Sequence, residues 1–228
     1  MKIKAVFCLL MAIFPMILYS QELYKAVYNG DIDYIKRYIE NLGRYSSDHQ
    51  EISSNSDLRL LRNTIYAMHG YKFKSKDLQE HFQKFIWYNG TKETVDNELS
   101  ENEKKLIRII SAMEAVNPPS QKNIVGEWVY PVSGGVDGPV GFVRYFFYTD
   151  GRVEGFNNRR GRWYLEGNTF RTVPDSDSSV SYTSPLDWSE VVKYLRIWVV
   201  EYDGKLYKAC NFFNTYMYEP TIPKNYWE

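Results

Sequence analysis

Apolar residues recur along this chain with two periods, and the period changes once. Up to about residue 116 they fall at helical spacing, and from about residue 123 they alternate or run in short blocks between turn pairs. Leu23, Ala26 and Val27, then Ile32, Ile35, Tyr38, Ile39 and Leu42, form a helical stripe broken by Asn29-Gly30-Asp31. That break predicts a helical hairpin over 21–43. The Ser-, Asn- and Asp-rich stretch 44–56 has no core face and reads as a linker. Leu58, Leu61, Ile65 and Met68 then share one face, with Ser56 and Asp57 available as N-terminal caps and Gly70 as the C-terminal stop. Ser100 and Glu103 have capping-box spacing, and Leu106, Ile109, Ile110 and Met113 supply the buried face of the helix that follows. A helical domain over 57–116 results. Asn117-Pro118-Pro119-Ser120-Gln121 ends it, because paired prolines cannot continue a helix, and 117–122 is a linker.

Beyond the linker, Asp150-Gly151, Gly167-Asn168 and Asp203-Gly204 each separate aromatic or β-branched segments, the mark of tight hairpins. About eight strands are expected, at 125–130, 142–148, 152–156, 161–165, 168–173, 193–200, 205–210 and 215–219. The predicted fold class is therefore α+β: a small helical domain followed by an antiparallel β-barrel or sandwich over 123–228. The stretches VRYFFYTDG and YLRIWVVEYDG carry large apolar residues on both strand faces, so one face fills the interior and the other needs a cover, for which the helical domain is the expected element.

The N-terminus adds a compartment. Lys2 and Lys4 precede an apolar run from Ala5 to Leu18, interrupted by Pro15 and followed by Ser20 and the polar Gln21. That order reads as a secretory signal peptide over 1–20, too short for an ordinary membrane span, with an uncleaved anchor as the competing reading. Phe7 before Cys8 argues against lipidation. After cleavage Cys210 is the one cysteine left, so the mature fold has no internal disulfide and must rest on apolar burial. The 20 Tyr, 12 Phe and 6 Trp make that burial feasible. The 28 basic and 28 acidic residues balance, and loss of Lys2 and Lys4 takes the mature chain to about −2, so no field gathers nucleic acid.

The text LRLLRNTIYAMHGYKFKSKDLQEHFQKFIWY resembles the core of the YARHG domain, at Arg62, Asn63, Tyr66, Ala67, His69, Gly70, Tyr71, Phe73, Leu78, Phe82, Trp87 and Tyr88. Met68 stands where that family has its eponymous arginine, and Ile86 where it often has proline. The resemblance covers roughly 57–114 and implies a compact helical module of a bacterial surface protein, from a family with no assigned molecular activity. LYKAVYNGDIDYIKRYIENLG looks like one ankyrin repeat, a unit that forms a domain only when stacked. Gly126-Glu127-Trp128 resembles the opening of a lipocalin, which implies Trp128 plugging one end of a barrel whose interior is either filled or holds one small apolar ligand.

Candidate ligand-binding residues follow from these readings. Tyr66, Tyr71, Trp87 and Tyr88 are candidates for an aromatic platform under a sugar ring, with core packing as the competing reading. His69, at a helix end, is expected to hydrogen-bond or to oppose the negative helix terminus as a cation. Trp128 completes the set. His69 and His81 lack zinc-helix spacing, so no metal or other cofactor is expected. The chain has no G-x-S-x-G, no H-E-x-x-H, no phosphate loop and no cysteine–histidine partnership, which points away from an enzyme; a hydrolase built from carboxylates such as Asp137 or Asp150 leaves no such trace. Asn89-Gly90-Thr91 reads as a turn. The expected protein is a bacterial secreted, periplasmic or cell-envelope binding or scaffold module whose partner is the cell wall or another envelope protein. The alternative is a carrier of a small apolar ligand, and neither reading involves nucleic acid or a membrane span after cleavage.

Overall fold

A computed structural model describes residues 23, 25–40, 57–133, 139–155, 159–175, 191–212 and 216–221. The segments read as a signal peptide and as the 44–56 linker lie outside the described residues. The chain divides into two compact units, Met1–Glu114 and Ala115–Glu228. Helices make up the first and an antiparallel sheet dominates the second, so the α+β class holds.

In the first unit a helical stretch over 25–29 precedes α1 (Ile32–Glu40), α2 (Leu58–Met68), α3 (Lys76–Phe82) and α4 (Glu101–Val116). The Asp31 carboxylate accepts from the Tyr34 amide at 3.0 Å as α1 begins, and Asp57 caps α2 by accepting from the Leu60 amide at 2.7 Å. The α4 face appears as the spacing predicts, with Leu106, Ile109, Ile110 and Met113 fully buried. The buried side of α2 differs from its stripe. Leu58 and Met68 are half-buried, whereas Leu60, Leu61, Thr64, Ile65 and Ala67 are buried. Thr64 tolerates this because its hydroxyl donates to the Leu60 carbonyl one turn back, at 2.9 Å.

The second unit opens with α5 (Gln121–Ile124) and continues as β1 (Gly126–Ser133), β2 (Pro139–Phe147), β3 (Arg152–Gly155), β4 (Arg159–Glu166), β5 (Thr169–Pro174), β6 (Val191–Val192), β7 (Ile197–Tyr202), β8 (Lys205–Cys210) and β9 (Met217–Tyr218). The order is β6-β5-β4-β3-β2-β1-β9-β8-β7, antiparallel at each pairing. Two expectations need correction. Nine strands form where about eight were expected, because a short β6 at Val191–Val192 precedes the expected run 193–200, of which only the part from Ile197 onward is strand, as β7. The sheet is also open: β6 and β7 are its two ends, and no closing ladder joins them among the described residues.

The turn over 193–196 that separates β6 from β7 has a local cause. The Leu195 amide donates to the Asn168 carbonyl at 2.7 Å. The Asn211 side chain accepts from the Arg196 amide at 2.7 Å and donates to the Tyr194 carbonyl at 3.0 Å. Side-chain and loop partners thus take over the groups that a continuous strand would give to a ladder. The bend also dictates curvature. A flat sheet of this size measures roughly 38 Å from edge to edge, yet the chain from Val192 to Ile197 reaches at most about 18 Å. The sheet therefore curls strongly on itself without closing.

Register separates its two faces. Trp128 pairs with Tyr145, Phe147 with Val153, and Trp163 with Thr172, all buried on the concave side. Phe146 is 39 % exposed on the other side, so β2 alternates and is not apolar-buried on both faces as expected. In β7 both faces are buried, from Ile197 through Val200. The Asp203-Gly204 turn takes positive φ at both residues (49° and 72°) and joins β7 to β8 with the tight geometry expected of that pair.

Candidate functional site

Three chain segments meet at the end of α2. His69 lies just beyond α2, and Gly70 with φ of 80° turns the chain away. Ser100 and Glu103 open α4 with the reciprocal bonds of a capping box: the Glu103 carboxylate accepts from the Ser100 amide at 2.7 Å and the Ser100 hydroxyl at 2.8 Å, and the Glu103 amide approaches Ser100 Oγ at 3.3 Å. Those contacts use Oε2. The other oxygen, Oε1, lies 2.8 Å from His69 Nε2. Burial alone would raise the Glu103 pKa, but the hydrogen bonds from His69 and Ser100 outweigh it and hold the group below its ordinary value. An ionised carboxylate only accepts, so His69 Nε2 carries the proton it shares. The carboxylate sits between serine and histidine, bonding one through each oxygen. This is a helix cap tied to a second helix.

Arg62, also within the YARHG-like text, grips Glu114 near the far end of α4, Nε to Oε2 at 2.8 Å. Its neighbour Asn63 is buried and donates to the Arg59 carbonyl at 2.7 Å. These groups fasten α2 to α4 and to itself.

Tyr66, Tyr71 and Tyr88 gather around Phe73 and Phe82. Tyr66 and Tyr71 have ring centroids 6.0 Å apart, Tyr71 meets Phe73 edge-on at 5.1 Å, and Phe73 stacks on Phe82 at 5.0 Å. The Tyr88 hydroxyl donates to the Tyr71 carbonyl at 2.8 Å. All three tyrosines are half-buried, and burial raises the Tyr66 and Tyr88 pKa, so both phenols stay neutral. Trp87 lies flat against Phe85 at 5.4 Å, and its indole donates to the Gly30 carbonyl at 2.9 Å. This ties the hairpin turn ahead of α1 to the rest of the unit. Gly30 has φ of 71°, and a Cβ there would lie 2.6 Å from the Phe85 ring. Asn102 adds a second tie, donating to the Ile39 carbonyl at 3.2 Å. His81 meets Tyr28, Phe82 and Phe85 edge-on, and burial lowers its pKa.

In the second unit Trp128 is 1 % exposed, and its indole donates to the Ile124 carbonyl of α5 at 2.8 Å. Its ring meets Phe212 edge-on at 5.3 Å, and Lys208 Nζ lies 5.5 Å from its centroid. Phe212 also touches Phe147 and Phe170, at 4.8 and 4.6 Å. Rings fill this part of the concave side. Asp150 is taken up by Arg152 at 2.6 Å, and Asp137 lies outside the described residues.

Two large apolar side chains of the helical unit are exposed among the described residues, Ile86 at 104 % and Tyr28 at 58 %. Ile86 sits between Phe85 and Trp87 on the connection after α3. Its signal was present, since a β-branched apolar residue stands where the family often has proline.

Residues 33–115 match the family model of the YARHG domain. The match begins within α1, ahead of residue 57 where the sequence resemblance was read. It gives no support to the ankyrin-like or lipocalin-like readings. No curated protein and no solved structure matches the chain. No helix among the described residues is long and apolar enough to cross a membrane.

Proposed function

We propose that this chain is an exported bacterial envelope protein that acts as a non-catalytic binding or scaffold module, its YARHG-bearing helical unit contacting the cell wall or another envelope protein. The YARHG match over 33–115 carries the reading, and the basic-then-apolar N-terminus supports export. The unit's polar side chains favour binding over chemistry. Glu103 and His69 cap and fasten helices, Arg62 holds Glu114, and Arg59 holds Asp77. The half-buried tyrosines and Trp87 support one another from within, which leaves Tyr28 and Ile86 as the apolar groups offered to a partner.

Expression in a bacterium with its own N-terminus, followed by fractionation, tests this. The expected result is a shortened chain, cut near Ser20, in the envelope fraction, with a Tyr28→Ser/Ile86→Ser variant released to the soluble fraction. An uncut chain in the cytosol would overturn the reading.

A further inference from the structure

The convex face of β3, β4 and β5 concentrates arginine. Arg152 and Arg162 stand directly opposite each other across the β3–β4 pair, and Arg160 lies two residues along on β4, opposite Glu154. Arg171 on β5 pairs with Tyr164, one step diagonal to Arg162. Like charges directly opposite in an antiparallel pair destabilise a sheet. Asp150 relieves Arg152 through an ion pair at 2.6 Å, with Glu154 at 4.0 Å, and gives Arg162 only its backbone carbonyl at 3.0 Å. Arg160, Arg162 and Arg171 form no ion pair with a carboxylate among the described residues. Two of the guanidinium groups lie over rings: Arg152 Cζ sits 4.8 Å from the Tyr148 centroid and Arg171 Cζ 4.7 Å from that of Tyr164. A guanidinium held in place keeps its forked N–H edge for an anion. Tyr164 and Val173 are 43 % and 42 % exposed beside them, an apolar surface of ring size.

We propose that this face binds an acidic polysaccharide, a polymer of uronic-acid type whose carboxylates pair with Arg162, Arg171 and Arg160 while its ring faces lie against Tyr164 and Val173. Arg152 and Arg162 stand one strand spacing apart, roughly 4.8 Å, and Arg171 lies on the diagonal from Arg162, about 7–8 Å away. The face answers a sugar polymer better than a nucleic acid. The whole chain carries a formal net charge of zero, so it lacks the field that gathers DNA or RNA, and its positive charge is local and interleaved with apolar contact.

Full-length protein is passed over immobilised alginate, neutral dextran, inorganic polyphosphate and duplex DNA. The expected result is salt-sensitive retention on alginate alone or most strongly, lowered about tenfold or more in Arg160→Gln/Arg162→Gln/Arg171→Gln with an unchanged circular dichroism spectrum. Tyr164→Ala weakens alginate binding severalfold. Should the triple variant misfold, phenylglyoxal footprinting of the natural chain decides: alginate must protect Arg160, Arg162 and Arg171 from modification. No retention on alginate at low salt, an undiminished folded triple variant, absence of footprinting protection, or tighter binding to polyphosphate or DNA overturns the proposal.

Discussion

Replacing Glu103 with alanine breaks two connections at once. One is the cap of α4, in which the carboxylate accepts from the Ser100 amide and hydroxyl at 2.7 and 2.8 Å. Loss of a helix cap costs about 1 kcal/mol. The other is the bond from His69 at 2.8 Å, and a hydrogen bond to a charged group is worth about 1.5–3 kcal/mol. The site is buried, with Glu103 7 % exposed, so solvent does not replace the lost partner freely. Glu103→Ala is expected to lower the stability of the helical unit by roughly 2–4 kcal/mol. Urea unfolding followed by far-ultraviolet circular dichroism reads this directly. Glu103→Gln, which still presents an acceptor to Ser100 but no charge, should fall between. A double-mutant cycle with His69→Ala isolates the histidine share, and coupling below about 0.5 kcal/mol would remove it. The pH dependence has a definite sign. The folded pKa of Glu103 lies below its ordinary 4.5, so the contribution is complete above that value and is lost as pH falls through the lower folded value. A Glu103→Ala protein within about 0.5 kcal/mol of the natural chain at neutral pH would refute the reasoning.

Gly30→Ala should destabilise the helical unit by about 1–3 kcal/mol, because positive φ and the Phe85 ring both oppose a Cβ; thermal unfolding reads the shift. Cys210 is fully buried and its thiol pKa is pushed well up, so in a Cys8→Ser background it should stay silent to a disulfide-exchange reagent until denaturant is added. Asn211→Ala removes both side-chain bonds of the β6–β7 bend, costing about 1–2 kcal/mol and speeding amide exchange at Arg196.

What was legible in the sequence was local. The Ser100–Glu103 cap, the Asp57 cap, the Gly70 stop and the Asp203-Gly204 turn each depend on residues within a few positions of one another, so spacing alone reveals them. What was hidden acts across long separations. The second partner of Glu103 lies 34 residues away, and the bend that divides β6 from β7 depends on Asn211, some 15 residues downstream. Periodicity also misplaced the buried side of α2, because a threonine that bonds its own helix carries no mark of burial in the sequence. Among the candidate residues, Tyr66, Tyr71, Trp87 and Tyr88 come together in one ring cluster, whereas His69 is joined to Glu103. Trp128 belongs to the other unit.

The central claim is that the helical unit binds the envelope, and its most direct measure is co-sedimentation of the full chain with purified insoluble cell-wall sacculi over a range of protein concentrations. The account predicts saturable sedimentation that Tyr28→Ser/Ile86→Ser weakens and Arg160→Gln/Arg162→Gln/Arg171→Gln leaves in place. A chain that stays in the supernatant at every concentration, or sediments equally well with both apolar side chains removed, would contradict it.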